Sequence, residues 1–141
     1  MAKVALMAKA ALMAKAINLK EELARLPVLH GRTPHTDDGE ADKSFATLAP
    51  YGDGSVFAGS FDGMSEWERH GRGDELVHVL EGEAELTLLT DDGPQKLTLK
   101  AGMLTVVPQG CWHRFYAPDG VSLLTVTPQP TDHSTAEDPR D

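Results

Sequence analysis

The chain has 141 residues, room for one ordinary domain, and its 40% hydrophobic and 25% charged residues with 13 Gly and 9 Pro describe a turn-rich globular protein. A formal charge of −9 excludes the basic surface that phosphate neutralisation requires, so no nucleic-acid partner is expected. The single cysteine, Cys111, excludes an intramolecular disulfide or a cysteine zinc cluster and suits a reducing, cytoplasmic setting, and no run approaches the ~20 apolar residues of a bilayer span, so no membrane partner is expected.

The first 16 residues, MAKVALMAKAALMAKA, repeat every six with lysines at 3, 9 and 15. At about 100° per residue those lysines point in three directions and form no basic stripe. Residues 1–16 are therefore read as a helix-prone extension rather than a targeting segment. A short helix follows: Asn18 with Glu21 resembles a capping box, Leu19, Leu23 and Leu26 share a face, and Pro27 stops the helix. Residues 30 to 43 are polar and aperiodic, so 17–43 is taken as helix and loop arm, with His30 and His35 solvated.

From Ser44 the pattern changes to short runs of period two, and 44–128 is read as an all-β domain. The candidate strands are SFATLAPY, SVFAGSF, ELVHVLE, EAELTLLT, QKLTLK, MLTVVP, CWHRFYA and VSLLTVT. Ala84, Leu86 and Leu88 share one face, as do Leu97 and Leu99, which is the alternation of half-buried antiparallel strands. Thr90-Asp91-Asp92-Gly93, Lys100-Ala101-Gly102 and Pro118-Asp119-Gly120 are suitable turns. So many short strands point to a closed barrel or jelly roll, since closure removes exposed edges. The polar segment 129–141 is expected on the surface, with His133 a bystander.

Two segments carry chemistry, EWERHGRGDELVHVLEG (66–82) and GMLTVVPQGCWHRFYA (102–117). Glu68 and His70 are two apart on an extended segment and converge on one side. The loop Gly71-Arg72-Gly73-Asp74 returns the chain so that Glu75 opens a strand beside them. Pro108 and Gly110 shape a turn that presents His113. Two imidazoles and one or two carboxylates from three strands form a metal donor set, whereas the alternative is a row of outward polar residues. Glu75 shares a face with Val77 and Val79, and a buried carboxylate without a partner is costly, which favours the metal. His78, Trp67, Arg69 and Trp112 fall on the opposite faces. Phe115 and Met103 are candidates for the lining of a substrate pocket. Cys111 has no general base beside it in the sequence, so a nucleophile role is disfavoured.

These segments resemble the paired motifs of the cupin superfamily. Gly102, Pro108, Gly110 and His113 match its second motif at every spacing, with Ala117 where asparagine is expected. His70, Glu75 and Gly82 match the first motif, whereas Gly63 stands one residue too close and Glu68 occupies the position of the first histidine. The resemblance implies a double-stranded β-helix barrel with one divalent metal ion (Fe, Mn, Zn or Ni) on His70, Glu75 and His113, with Glu68 as a further candidate ligand. It also implies a small-molecule ligand and, as in many small cupins, a homodimer, with the Asn18–Leu26 helix or outer residues such as His78 at the interface. Two histidines and a carboxylate resemble the facial set of non-haem iron oxygenases. A metal-dependent oxygenase, isomerase or lyase acting on a small oxygenated molecule is therefore one expectation, and a non-enzymatic binding or sensing module on the same metal is the other.

Overall fold

The computed structural model describes residues 14–141, so most of the six-residue repeat, residues 1–13, lies outside the described residues. Helix α1 (Leu19–Arg25) begins where the Asn18 side chain accepts the Glu21 N–H at 3.1 Å, and acids in its first turn and Arg25 in its last suit the helix dipole. The chain continues through β1 (Leu29–Arg32), α2 (Asp38–Asp42), β2 (Phe45–Tyr51), β3 (Gly54–Met64) and β4 (Trp67–His70). It ends with β5 (Glu75–Thr90), β6 (Gly93–Lys100), β7 (Leu104–Val107), β8 (His113–Pro128) and β9 (Thr131–Ser134). The half-buried leucine stripe of α1 is turned to its own barrel, against β3.

The strands form a curled, almost wholly antiparallel sheet, the expected jelly-roll barrel. β5 and β8, of 16 residues each, build both walls. Leu76–Val79 pair with Leu123–Val126, and Glu85–Leu88 pair with His113–Tyr116, so each strand crosses from one wall to the other. The bends fall at Gly82 (φ 76°) and Gly120 (φ 98°), where a Cβ on Gly82 would strike the Gly120 carbonyl. This corrects two expectations. ELVHVLE with EAELTLLT, and CWHRFYA with VSLLTVT, are single bent strands, and Pro118-Asp119-Gly120 is a kink within β8 rather than a hairpin turn. Glycine here bends the ladder without ending it. Asp91-Asp92 is the hairpin turn expected, with Thr90 paired to Gly93.

Inward residues fill the barrel's closed end. Val77, Val79, Leu86, Leu88, Phe61 and Phe115 form its core, and the period-two alternation of β5 places Glu75 on the same buried side. The arm and the tail also differ from expectation. Part of the aperiodic 30–43 segment is β1, which runs parallel to β3, and another part is α2. The tail contains β9, which pairs with β4 from Trp67↔Ser134 to His70↔Thr131. Strands of four residues are too short for period two to reveal.

Candidate metal centre

Glu75, at the start of β5, projects inward from one wall, and His113, at the start of β8, meets it from the other. The His113 Nε2 lies 3.1 Å from Glu75 Oε1. β4 pairs with β8 through Glu68↔His113, which brings in the remaining groups. The His70 Nε2 stands 3.2 Å from Glu75 Oε2, and Glu68, His70 and His113 each offer a donor atom, all within 4.8 Å of one another. The structure thus gathers Glu68, His70 and His113 into one set and seats Glu75 against both imidazoles, with His70, Glu75 and His113 buried and Glu68 open to the cavity.

Neighbours fix the ring orientations. The His113 Nδ1 lies 2.9 Å from the Cys111 carbonyl, an acceptor, so Nδ1 carries a proton and donates it. His70 Nδ1 is 3.0 Å from Thr131 Oγ1. Thr127 Oγ1 donates to Glu75 Oε2 at 2.7 Å. Despite its proximity to Glu75, His70 Nε2 is out of hydrogen-bond alignment and is buried without a partner. An orphan of this kind costs free energy unless something occupies its lone pair.

The electrostatics describe a well for positive charge. Burial alone would raise the Glu75 pKa, but the hydrogen bond from His113 and the neighbouring His113 and His70 rings overcome it and hold the carboxyl down at about 2. Burial likewise opposes a proton on His113, yet Glu75, then Glu68 and the Cys111 carbonyl, outweigh it and raise that pKa above the usual histidine value. A divalent ion satisfies the same field and also the orphaned nitrogen. Two donors about 2.1 Å from one ion and 90 to 110° apart sit roughly 3.0 to 3.4 Å from each other. The 3.1 and 3.2 Å separations between Glu75 and the two rings fit that requirement.

The centre opens into a cavity of about 400 Å³ whose walls include Phe45, Phe61, Phe115 and Leu123, with Arg32 and Glu66 among the charged lining. Phe115 lies where the sequence places it. Met103 does not: it sits in the turn before β7, 46% exposed, with its sulfur on the Lys100 N–H, and lines no part of this cavity. Trp67 and Trp112 point away from the site as expected, beneath Arg114 and Arg69 respectively. Cys111 serves through its carbonyl, since its thiol is turned to backbone oxygens of Leu89 and Trp112.

Residues 61–127 match the family model of the cupin domain. The barrel is a cupin domain. It is similar to a cupin-2 domain containing protein from Shewanella frigidimarina, with a TM-score of 0.61 and 23% identity over 80% of this chain and 94% of that one. A protein from Neisseria meningitidis gives 0.60 and 22% over 85% of this chain and all of its own. A hydroquinone 1,2-dioxygenase from Sphingomonas gives 0.55 and 18% over 84% of this chain and 74% of that one. At these identities the likeness is one of fold. No curated protein sequence matches the chain.

Several residues of this cupin site come from outside the matched segment and were missed in the sequence. Arg32 enters on β1, and Thr131 and His133 on β9. His133, expected as a bystander, has its Nδ1 2.7 Å from Glu66 Oε1. His30 is exposed as expected and lies outside the cavity lining, with its Nδ1 2.6 Å from Asp62 Oδ2. One signal was present in β8: its inward positions run Val121, Leu123, Thr125, Thr127, and the change from aliphatic to threonine marks where core gives way to cavity.

Proposed function

We propose that this cupin is a metal-dependent oxygenase of a small oxygenated molecule, with one divalent ion, iron, manganese, zinc or nickel, on His70, Glu75 and His113, and Glu68 as a fourth ligand. The observation that carries this reading is the buried, unpartnered Nε2 of His70, facing the same carboxylate as His113 Nε2. When bound, the metal supplies open coordination positions and, for iron(II) or manganese(II), redox chemistry.

The chain's own part is positioning. Thr127 holds one Glu75 oxygen, the Cys111 carbonyl turns His113, and Thr131 does the same for His70, so that Nε2 of each ring faces inward. Phe61, Phe115 and Leu123 exclude water from the inner wall. Glu68 faces the cavity with a carboxylate able to take a proton from a substrate hydroxyl. The fold likeness to hydroquinone 1,2-dioxygenase directs the first trials to dihydroxylated aromatics, alongside keto acids.

Elemental analysis of the purified protein is expected to give about one metal per chain, with most of it lost in His70→Ala and His113→Ala. Full occupancy in both variants would sink the ligand set. Anaerobic reconstitution with Fe(II), Mn(II) or Zn(II), then oxygen-uptake assays with hydroquinones, catechols and keto acids, tests the activity. Uptake under Fe(II) or Mn(II) that requires His70 and Glu75 supports the oxygenase. Tight binding of these compounds without turnover under any metal supports the sensing or storage module instead.

A further inference from the structure

Arg32 has an unusual position for a guanidinium. Its side chain is only 11% exposed, lies 4.7 Å over the Phe61 ring and 5.7 Å from that of Phe45, and lines the cavity that leads to Glu75. It makes no side-chain hydrogen bond among the described residues. Its one ion pair is loose, Nη2 to Glu68 Oε1 at 3.9 Å. Burial pulls its pKa below the ordinary arginine value despite Glu68, Glu66 and Asp38, yet a guanidinium stays charged. Its five N–H donors, without a side-chain hydrogen bond among the described residues and reached through the cavity, suit a ligand able to accept several of them.

The backbone is arranged to deliver this residue. β1 pairs with β3 through Arg32↔Gly63, and a Cβ at Gly63 would collide with the Arg32 main chain. Gly63 has φ +105°, so the position is closed to other residues on conformational grounds as well. Asp62 fastens the same strand, accepting the Gly31 N–H at 2.6 Å while its other oxygen meets His30 Nδ1 at 2.6 Å.

We propose that Arg32 is the recognition residue for the acid group of a small monocarboxylate with an apolar body, bound beside the metal centre. This rests on the reading of the cavity as a substrate site. Arginine's planar fork matches a carboxylate bidentately, and the walls of Phe45, Phe61, Phe115 and Leu123 fit an apolar ring or chain in a cavity of about 400 Å³. Glu68 lies within 4.8 Å of the donor nitrogens of His70 and His113 and 3.9 Å from Arg32. An acid on Arg32 therefore holds the adjoining atoms of the molecule next to the ligands. The acids facing Arg32, Glu68 with Glu66 and Asp38, select a single negative charge over a double one.

The test compares benzoate, its neutral isostere benzamide and the dianionic phenylphosphonate by calorimetric titration at pH 8. It uses the full chain, both Zn(II)-loaded and chelator-treated. Benzoate is expected to bind the wild type at least tenfold more tightly than either analogue. Arg32→Met should lose roughly ten- to a hundredfold in benzoate affinity with zinc per chain unchanged, and Arg32→Lys should retain part of it. Equal binding of benzoate and benzamide to the wild type, a comparison that needs no variant, overturns the assignment. So does an Arg32→Met protein with wild-type benzoate affinity, which would make Arg32 a counter-ion for Glu68. Phenylphosphonate binding more tightly than benzoate overturns it too. A wild type that takes up no metal yet binds benzoate through Arg32 upholds the assignment and removes the metal-centre reading alone.

Discussion

Replacing Thr131 with valine removes one hydroxyl and almost no volume, and it acts on His70 through the 3.0 Å contact between Thr131 Oγ1 and His70 Nδ1. For His70 to offer Nε2 to an ion, its ring proton must sit on Nδ1, and Thr131 is the acceptor that keeps it there. Loss of such an outer partner typically costs about 10- to 100-fold in metal affinity, roughly 1.4 to 2.7 kcal/mol. At zinc about 100 times the wild-type dissociation constant, metal binding adds about 2.7 kcal/mol to wild-type stability but only about 1.4 to 0.4 kcal/mol to the variant. The assay is a zinc titration against a chromophoric chelator, paired with thermal melts with and without zinc. Thr131→Ser, which keeps the hydroxyl, should stay near wild type. Unchanged zinc affinity in Thr131→Val would refute the argument, and an equal loss in Thr131→Ser would transfer the effect from the hydrogen bond to packing.

Glu75→Ala should abolish stoichiometric metal, whereas Glu68→Ala should weaken binding or change metal preference with three ligands left; an unchanged metal profile in Glu68→Ala would confine Glu68 to the cavity wall. The Asp62 carboxyl is held below the usual aspartate range by the Gly31 N–H and then by His30, so its stabilisation is present above the unfolded pKa and is lost as pH falls through the folded one. The melting-temperature gap between wild type and Asp62→Asn should therefore be open at pH 7 and close below about pH 4, and a gap persisting at pH 2 would contradict the clasp. On the outer face, Leu76 pairs with Val106 and Val126, and His78 with Leu104 and Leu124, leaving Leu104 58% and Val106 50% exposed. That row is expected to form the seam of a homodimer, so light scattering should give a dimer mass that Val106→Lys reduces to a monomer. A monomeric wild type at micromolar concentration would count against it.

What was legible in the sequence was whatever repeats or converges over several residues. Period two exposed the inward face of β5, and Glu75 was placed on it because it continues the register of Val77 and Val79. Motif spacing brought His70, Glu75 and His113 to one point, and all three are buried there. Length was not legible, because Gly82 and Gly120 look like punctuation in a chain but act as hinges in a ladder. Met103 failed for a related reason: a residue just before a strand takes its direction from the preceding turn, and the turn at Gly102 sends it to solvent. Arg32 and Thr131 left no trace, since four-residue strands offer no period and the distant pairings Arg32↔Gly63 and His70↔Thr131 have no local mark.

That pattern divides the site into two kinds of residue with different consequences. Glu68, His70, Glu75 and His113 lie within the matched cupin segment; Glu75 and His113 open 16-residue strands whose register the core enforces, so a slip would expose Val77 and Val79 together with Glu75, while Glu68 and His70 sit on the four-residue β4, tied to β8 through Glu68↔His113. Arg32 and Thr131 lie outside the segment on strands of four residues, held at the edges by one glycine contact, one aspartate clasp and a short antiparallel pairing. Little core depends on either strand, so substitution there changes what enters the cavity, or how His70 is tuned, at small cost to the barrel. On the proposed reading, Glu75 and His113 are thus tied to the barrel, Thr131 tunes His70, and selectivity rests with Arg32. For the same reason a change of substrate should be reached by altering Arg32 with its neighbour Glu68, while His70, Glu75 and His113 stay fixed.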